Sequence, residues 1–299
     1  MRNKEPFLAL FCSAVIVLAA LWMAASADAT DTQSRSITVD GLARTYLLHV
    51  PSSYRVAASG KKLPIVFVLH GATQSPESAE RMSGMSDLAD QHDFLAVYPR
   101  GTGRLPTWNA GNCCGYARQN QVDDVAFLGA LIRKLERDYT VDPRRIFVTG
   151  ISNGAMMSFR MACDLADQVA AVAPVEGAQN LDCRPSSRVS VLVLHGTADR
   201  LVPFSGGTTP FQVGARREDT PVMDTVAFWV KEDGCASPPQ RAVNPEVHTT
   251  IYANCADGTG VALYAIQGGR HMWPGLRLSG NSVPATNIMW TFFEQHPKP

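Results

Sequence analysis

The chain has no surplus of charge: 27 lysines and arginines are matched by 27 aspartates and glutamates, and only 18% of its residues are charged. Without an excess of either sign, nothing draws it to nucleic acid or to anionic lipid, and neither is expected as a partner. Its cysteines show no paired C-x-x-C spacing with histidines nearby, so no metal site is expected. No internal repeat, low-complexity tract or linker interrupts the sequence, which argues against a repeat array or a string of domains. What it has is apolar residue. Hydrophobic side chains make up 45% of the 299 residues, enough for one large domain with a well-buried core.

Arg2 and Lys4 precede an apolar run from Phe7 to Ala25, which ends in the small residues Ala25, Ser26 and Ala27. This is the layout of a secretory signal peptide over residues 1–27, with cleavage after Ala27 or Ala29. An uncleaved membrane anchor is the alternative, because the run approaches the roughly 20 residues that cross a bilayer. Cys12 follows Phe11 inside the run, a setting that does not suit lipid modification. The signal reading predicts a secreted or periplasmic protein without stable membrane association, and a single domain over residues 28–299. It leaves Cys113, Cys114, Cys163, Cys183, Cys235 and Cys255, an even set in an exported chain, so disulfides are expected. Cys163 with Cys183 and Cys235 with Cys255 are the favoured pairs, since each flanks a compact segment. Cys113 and Cys114 then remain as a vicinal pair, either bridged or as two free thiols.

Ile37 to Val50 reads as two extended stretches joined by a tight turn at Asp40-Gly41. Leu63–Leu69 is a continuous apolar run, as expected of a strand buried on both faces. Phe94 to Tyr98, Arg145 to Thr149, Val169 to Ala173 and Val189 to Leu194 repeat that pattern. Between them lie helical segments, most clearly one starting near Asp123 with Leu128, Leu131, Ile132 and Leu135 on one face. Asp123 and Asp124 are expected to serve the positive end of that helix, and Thr220-Pro221 to cap and open the helix that runs through Val230. Strands alternating with helices predict an α/β fold, a mostly parallel central sheet with helices on both faces.

After the strand at Arg145 to Thr149 comes Gly150-Ile151-Ser152-Asn153-Gly154, then a helix-compatible stretch. This is G-x-S-x-G in the strand-to-helix setting that lifts a serine hydroxyl above the sheet edge, near a helix N-terminus. A serine hydroxyl needs a base to take its proton, and the base needs a carboxylate to orient it. Those partners should follow Ser152 in the order acid, then histidine. Asp199 fits the acid, because the buried strand ending at Leu194 runs directly into His195-Gly196-Thr197-Ala198-Asp199. His271 fits the base, since Val261 to Ile266 reads as a last strand and Gly268-Gly269-Arg270 leads to it; His248 falls in a strand and His296 in the tail. Donors for an oxyanion should be the backbone N–H of Asn153 and one from His70-Gly71-Ala72-Thr73, with Ala72 first and Thr73 next. Trp108, Tyr116, Phe204 and Trp273 lie near these motifs and are candidates either for a substrate cleft or for core packing.

The segments Leu69 to Gln74, Trp108 to Gly115, Val122 to Val125, Gly150 to Met157, His195 to Pro203 and Gly268 to Gly275 together resemble the polyhydroxybutyrate depolymerase-like esterases. That α/β-hydrolase family sits in the same carbohydrate-esterase clan as feruloyl and acetylxylan esterases. The resemblance covers nearly the whole chain beyond the signal segment. It implies triad positions for Ser152, Asp199 and His271, an acyl-enzyme route, no cofactor, and a small-molecule or oligomeric ester as substrate. The one departure is Ala72, where relatives often carry cysteine or another small residue; the main-chain donor is unaffected. A serine peptidase on the same fold and a non-catalytic binding protein are the competing readings.

Overall fold

The computed structural model describes residues 32–56, 60–208, 216–236, 238–276 and 279–299. The signal segment read at residues 1–27 and the boundary at 28 lie outside the described residues. The strands are β1 (Thr32–Val39), β2 (Leu42–His49), β3 (Leu63–Leu69), β4 (Leu95–Pro99), β5 (Val141–Ile151), β6 (Ala171–Val175), β7 (Ser190–Gly196), β8 (Gln240–Val243), β9 (Val247–Tyr252) and β10 (Val261–Ile266). Among the described residues they form one sheet in the order β1-β2-β4-β3-β5-β6-β7-β10-β9-β8. From β4 through β10 all neighbours are parallel, while β1, β2, β8 and β9 add antiparallel edges. Asp40 and Gly41 make the β1–β2 turn with φ of 49° and 76°, the left-handed pair that a two-residue hairpin requires.

Helices cover both faces. On one lie α5 (Asp124–Asp138), α6 (Asn153–Asp164) and α7 (Val222–Glu232); on the other lie α2 (Pro76–Ser83), α3 (Met85–His92) and α8 (Ala285–Gln295). The short α1 (Ser52–Val56) and α4 (Gly115–Gln119) complete the set among the described residues. Strand β3 shows why the central runs are apolar throughout: Ile65, Phe67 and Leu69 enter one core, and Val66 and Val68 the other. This is the α/β-hydrolase architecture, and residues Asp31–Pro299 form one compact unit. Among the described residues no helix is long and apolar enough to cross a membrane.

Several local expectations need correction. Strand β6 begins at Ala171, because Val169 N–H still closes the turn after α6 onto Leu165 O (2.9 Å). Strand β4 likewise begins at Leu95, since Phe94 N–H points back to Ala89 O (3.4 Å). Thr220 does not cap α7: its hydroxyl donates to Gln179 O (2.9 Å), and Pro221 itself occupies the cap position. Asp123 does cap α5, accepting from Ala126 N–H at 2.8 Å. Asp124 serves another purpose. It is fully buried, pairs with Arg44 at 2.7 Å and accepts from Asn109 N–H at 2.8 Å, while the Arg44 guanidinium lies 4.0 Å over the Phe127 ring. Disulfides join Cys163 to Cys183 (Cα–Cα 5.3 Å) and Cys235 to Cys255 (4.1 Å), and Cys113 and Cys114 are also joined.

Removing one partner of a buried ion pair leaves the other charge uncompensated, so Asp124→Ala should cost about 3–5 kcal/mol in urea unfolding. A loss below about 1 kcal/mol, the scale of a surface pair, would contradict this role for Asp124. A second carboxyl, Asp233 at the end of α7, is pushed up to about 7 by burial, with the Val189 N–H and Arg188 pulling the other way. The folded state therefore holds this proton where the unfolded chain has released it, and stability falls as pH rises from the ordinary carboxylate range towards about 7. Asp233→Asn should stabilise the protein more at about pH 8 than at about pH 4. An equal effect at both would show that folding leaves the carboxyl at its ordinary value.

Candidate active site

Ser152 stands between β5 and α6 with φ 58° and ψ −121°. The elbow is pressed against the end of β3: a Cβ on Gly150 would lie 2.7 Å from Leu69 O, and one on Gly154 would lie 2.6 Å from His70 O. Only glycine fits either position. Ser152 N–H donates to Val175 O (2.9 Å), which fastens the elbow to the end of β6. Because α6 starts at the next residue, Asn153 N–H has no partner within the helix, and no acceptor is found for it elsewhere among the described residues.

Neighbouring strands stand about 4.8 Å apart, so Ser152 after β5 and the loop after β7 lie about 10 Å from each other. A side chain from elsewhere must span that distance. His271 comes from the loop after β10, which is stitched to the β7 loop by Thr197 N–H to Ile266 O, Ala198 N–H to Gly269 O and Gly268 N–H to Thr197 Oγ1, each 2.9 Å. The stitching brings His271 Nδ1 to 2.7 Å from Asp199 Oδ2. Asp199 Oδ1 accepts from the N–H groups of Leu201 (2.7 Å) and Val202 (3.0 Å). Burial works against the Asp199 carboxylate, but its hydrogen bond to His271 and the surrounding donors hold it below its ordinary range. With Nδ1 turned to Asp199, the imidazole keeps Nε2 as the atom that can take a proton. No hydrogen bond joins Ser152 Oγ to His271 among the described residues; such contacts commonly tighten only with substrate in place.

The two candidates for the second oxyanion donor separate. Thr73 N–H is already given to Pro106 O (2.8 Å), whereas Ala72 N–H has no acceptor among the described residues. That removes Thr73 and leaves Ala72 with Asn153. Of the aromatic candidates, Trp108 and Trp273 are corrected to core residues, 0% and 2% exposed. Trp108 Nε1 donates to His70 O (3.0 Å) and Trp273 Nε1 to Thr286 Oγ1 (3.2 Å), so both indoles tie loops down. Tyr116 is half exposed and Phe204 partly so, and these two retain surface to offer.

Four groups hold this arrangement in ways that the sequence did not reveal. The Asn153 side chain pairs with the Trp108 backbone in both directions (2.8 and 3.1 Å), and its amide also approaches Cys113 Sγ at 3.7 Å. Asp124 anchors Asn109, the next residue. His70 is buried, with Nε2 accepting from Gly101 N–H at 3.0 Å and Nδ1 at 2.8 Å from Gly71 O; burial lowers it to about 4, so it serves as a neutral brace. Glu176 follows β6 directly, 1% exposed, with both carboxyl oxygens on Gly196 N–H (2.9 and 3.0 Å). A glutamate closing the apolar run Ala171–Val175 was the available signal. Glu176, His195 and Asp199 lie within 4.8 Å of one another, a spacing that could suit a metal ion. The carboxyl groups of Glu176 and Asp199 are engaged instead by Gly196, Leu201, Val202 and His271.

No protein-family model matches the chain. It is 31% identical over 265 residues to a putative esterase, NocK, of Nocardia uniformis, covering 83% of this chain and 76% of that protein. Feruloyl esterase B of Piromyces equi is 32% identical over 239 residues, covering 76% of this chain but only 42% of the relative's length. Among solved structures, an acetyl xylan esterase from Aspergillus awamori superposes with a TM-score of 0.60 at 16% identity, over 88% of this chain and 99% of that one. The structural likeness speaks for the fold, and the sequence likeness for the family: the chain belongs to the esterases that include this Nocardia protein and the probable feruloyl esterases C of Aspergillus, 30% identical over 71% of their length, and is a carboxylic ester hydrolase.

Proposed function

We propose that Ser152, His271 and Asp199 carry out the hydrolysis through an acyl-enzyme. His271 Nε2 takes the Ser152 proton as Oγ attacks the ester carbonyl, and returns it to the departing alkoxide. Water then attacks the acyl-enzyme by the same route, releasing the carboxylic acid and restoring Ser152. Asp199 holds the imidazole in the required tautomer and stabilises its positive charge. The N–H groups of Asn153 and Ala72 receive the oxyanion. The observation that carries this reading is the 2.7 Å contact of His271 Nδ1 with Asp199 Oδ2, made by two loops that open at the same sheet edge as the Ser152 elbow.

For substrate, the reading is a hydroxycinnamoyl or acetyl ester of a plant-wall saccharide. It is supported by the feruloyl esterase relative and by the accessible Tyr116 and Phe204 rings, which suit a flat aromatic or a sugar face. A hydroxyalkanoate oligomer is the second reading, favoured by the depolymerase relative within the same family. The basic, apolar and small-residue order at the N-terminus supports export.

Ser152→Ala and His271→Ala should each lower kcat on a p-nitrophenyl ester by about 10⁴-fold or more, with thermal unfolding unchanged. Retention of more than about a tenth of wild-type activity by either variant would remove that residue from its role. Rates on methyl ferulate, acetylated xylan and a soluble hydroxybutyrate oligomer, compared under one set of conditions, rank the substrates. The first two should exceed the third, and the reverse order would move the assignment to hydroxyalkanoates.

A further inference from the structure

The buried Glu176 has no part in the chemistry above, yet it touches the group that orients the base. Its backbone is fixed at φ 51°, in the left-handed region, and its N–H donates to Leu194 O (3.0 Å). The residue is thus held between the ends of β6 and β7, with its carboxyl turned into the space behind Asp199. Two carboxyl groups this close, both shielded from water, cannot both be ionised without a cation between them. Among the described residues no lysine or arginine pairs with either carboxyl. His195 is fully buried, its Nε2 gives its proton to Val202 O (2.8 Å), and burial keeps the ring neutral. His271 faces Asp199 from the other side, with Nδ1 2.7 Å from Oδ2.

The cluster therefore holds one proton, and the donor count says where. Among the described residues Asp199 receives three donors, from Leu201, Val202 and His271, whereas Glu176 receives only the shared Gly196 N–H. The negative charge rests on Asp199, which has more hydrogen-bond donors, and Glu176 keeps the proton. On this geometry, and resting on the triad reading above, we propose that Glu176 is a positioning residue that, as the neutral acid, donates a hydrogen bond to Asp199 and fixes its carboxylate towards His271. The direction of both ionisations agrees: burial first, then the Asp199 charge, pushes Glu176 well up, while Asp199 is held down.

The arrangement makes a specific demand on substitution. An amide donor can replace a neutral acid but cannot replace a carboxylate. Glu176→Gln should therefore keep kcat, KM and the acid limb of the kcat/KM profile close to wild type. Glu176→Ala, or Glu176→Met if alanine fails to fold, should lower kcat by about 10²-fold, the scale of a misplaced catalytic group, with KM little changed. In the infrared difference spectrum of wild type against E176Q, a protonated-carboxyl band should persist well above the ordinary glutamate range. If E176Q is as impaired as E176A with its acid limb displaced, Glu176 works as an ion and the proposal fails. If E176A keeps full kcat, Glu176 positions nothing and the proposal fails equally. Asp199→Asn, measured beside them, separates this from the triad reading. An inactive D199N with a fully active E176A sinks only the inference; an active D199N with an inactive E176Q makes Glu176 the triad acid and overturns both.

Discussion

Ser152 is held at φ 58° and ψ −121°, a conformation that a residue with a side chain keeps only where its surroundings over-determine it. Here the surroundings are the carbonyls of Leu69 and His70 at the end of β3, against which Gly150 and Gly154 are packed without room for a Cβ. The elbow can exist only if β3 and β5 are adjacent and parallel, and that adjacency requires an intervening crossover, which α2, α3, β4 and α5 supply. The two faces of apolar packing on β3 are thus the support on which the serine's exposure rests. Strain at one residue is balanced by burial across two cores.

From that fixed point the rest of the site is organised by loops that brace one another. The Trp108 backbone and the Asn153 side chain clasp, the Trp108 indole reaches the His70 carbonyl, and His70 in turn holds Gly101. Asp124, paired with Arg44 from β2, secures Asn109 at the far end of the same segment. These contacts keep the first turn of α6 in place, and with it the open N–H of Asn153. On the other side of Ser152, the loops after β7 and β10 are joined through Thr197, Ala198, Gly268 and Gly269, so Asp199 and His271 arrive as a unit. Such cross-bracing from neighbouring strand ends gives loop-borne groups the fixed geometry that catalysis needs.

Much of this was legible in the sequence, for identifiable reasons. Strands β3, β7 and β10 appear as unbroken apolar runs because both faces are buried, and G-x-S-x-G marks the elbow because its glycines answer a steric need that no other residue meets. Asp199 and His271 could be picked by chain order, since each follows a buried strand directly. What was not legible depended on long-range partners. Asp124 looks like a helix-end acid until Arg44, 80 residues earlier, is seen beside it. Trp108 and Trp273 look like cleft aromatics until their burial is known, and Thr73 looks like an oxyanion donor until Pro106 takes its N–H. Glu176 was overlooked because a lone glutamate closing an apolar strand is a weak signal; its meaning comes from Gly196 and Asp199 on the adjacent strand end.

The central claim is that one hydroxyl in this chain, that of Ser152, is made nucleophilic by His271. Its most direct test is stoichiometric labelling with an organophosphate, followed by mass mapping of the modified peptide. The account predicts a single adduct per chain on Ser152, formed rapidly in wild type and lost in His271→Ala. An adduct on another residue, or labelling of Ser152 at an unchanged rate without His271, would contradict it.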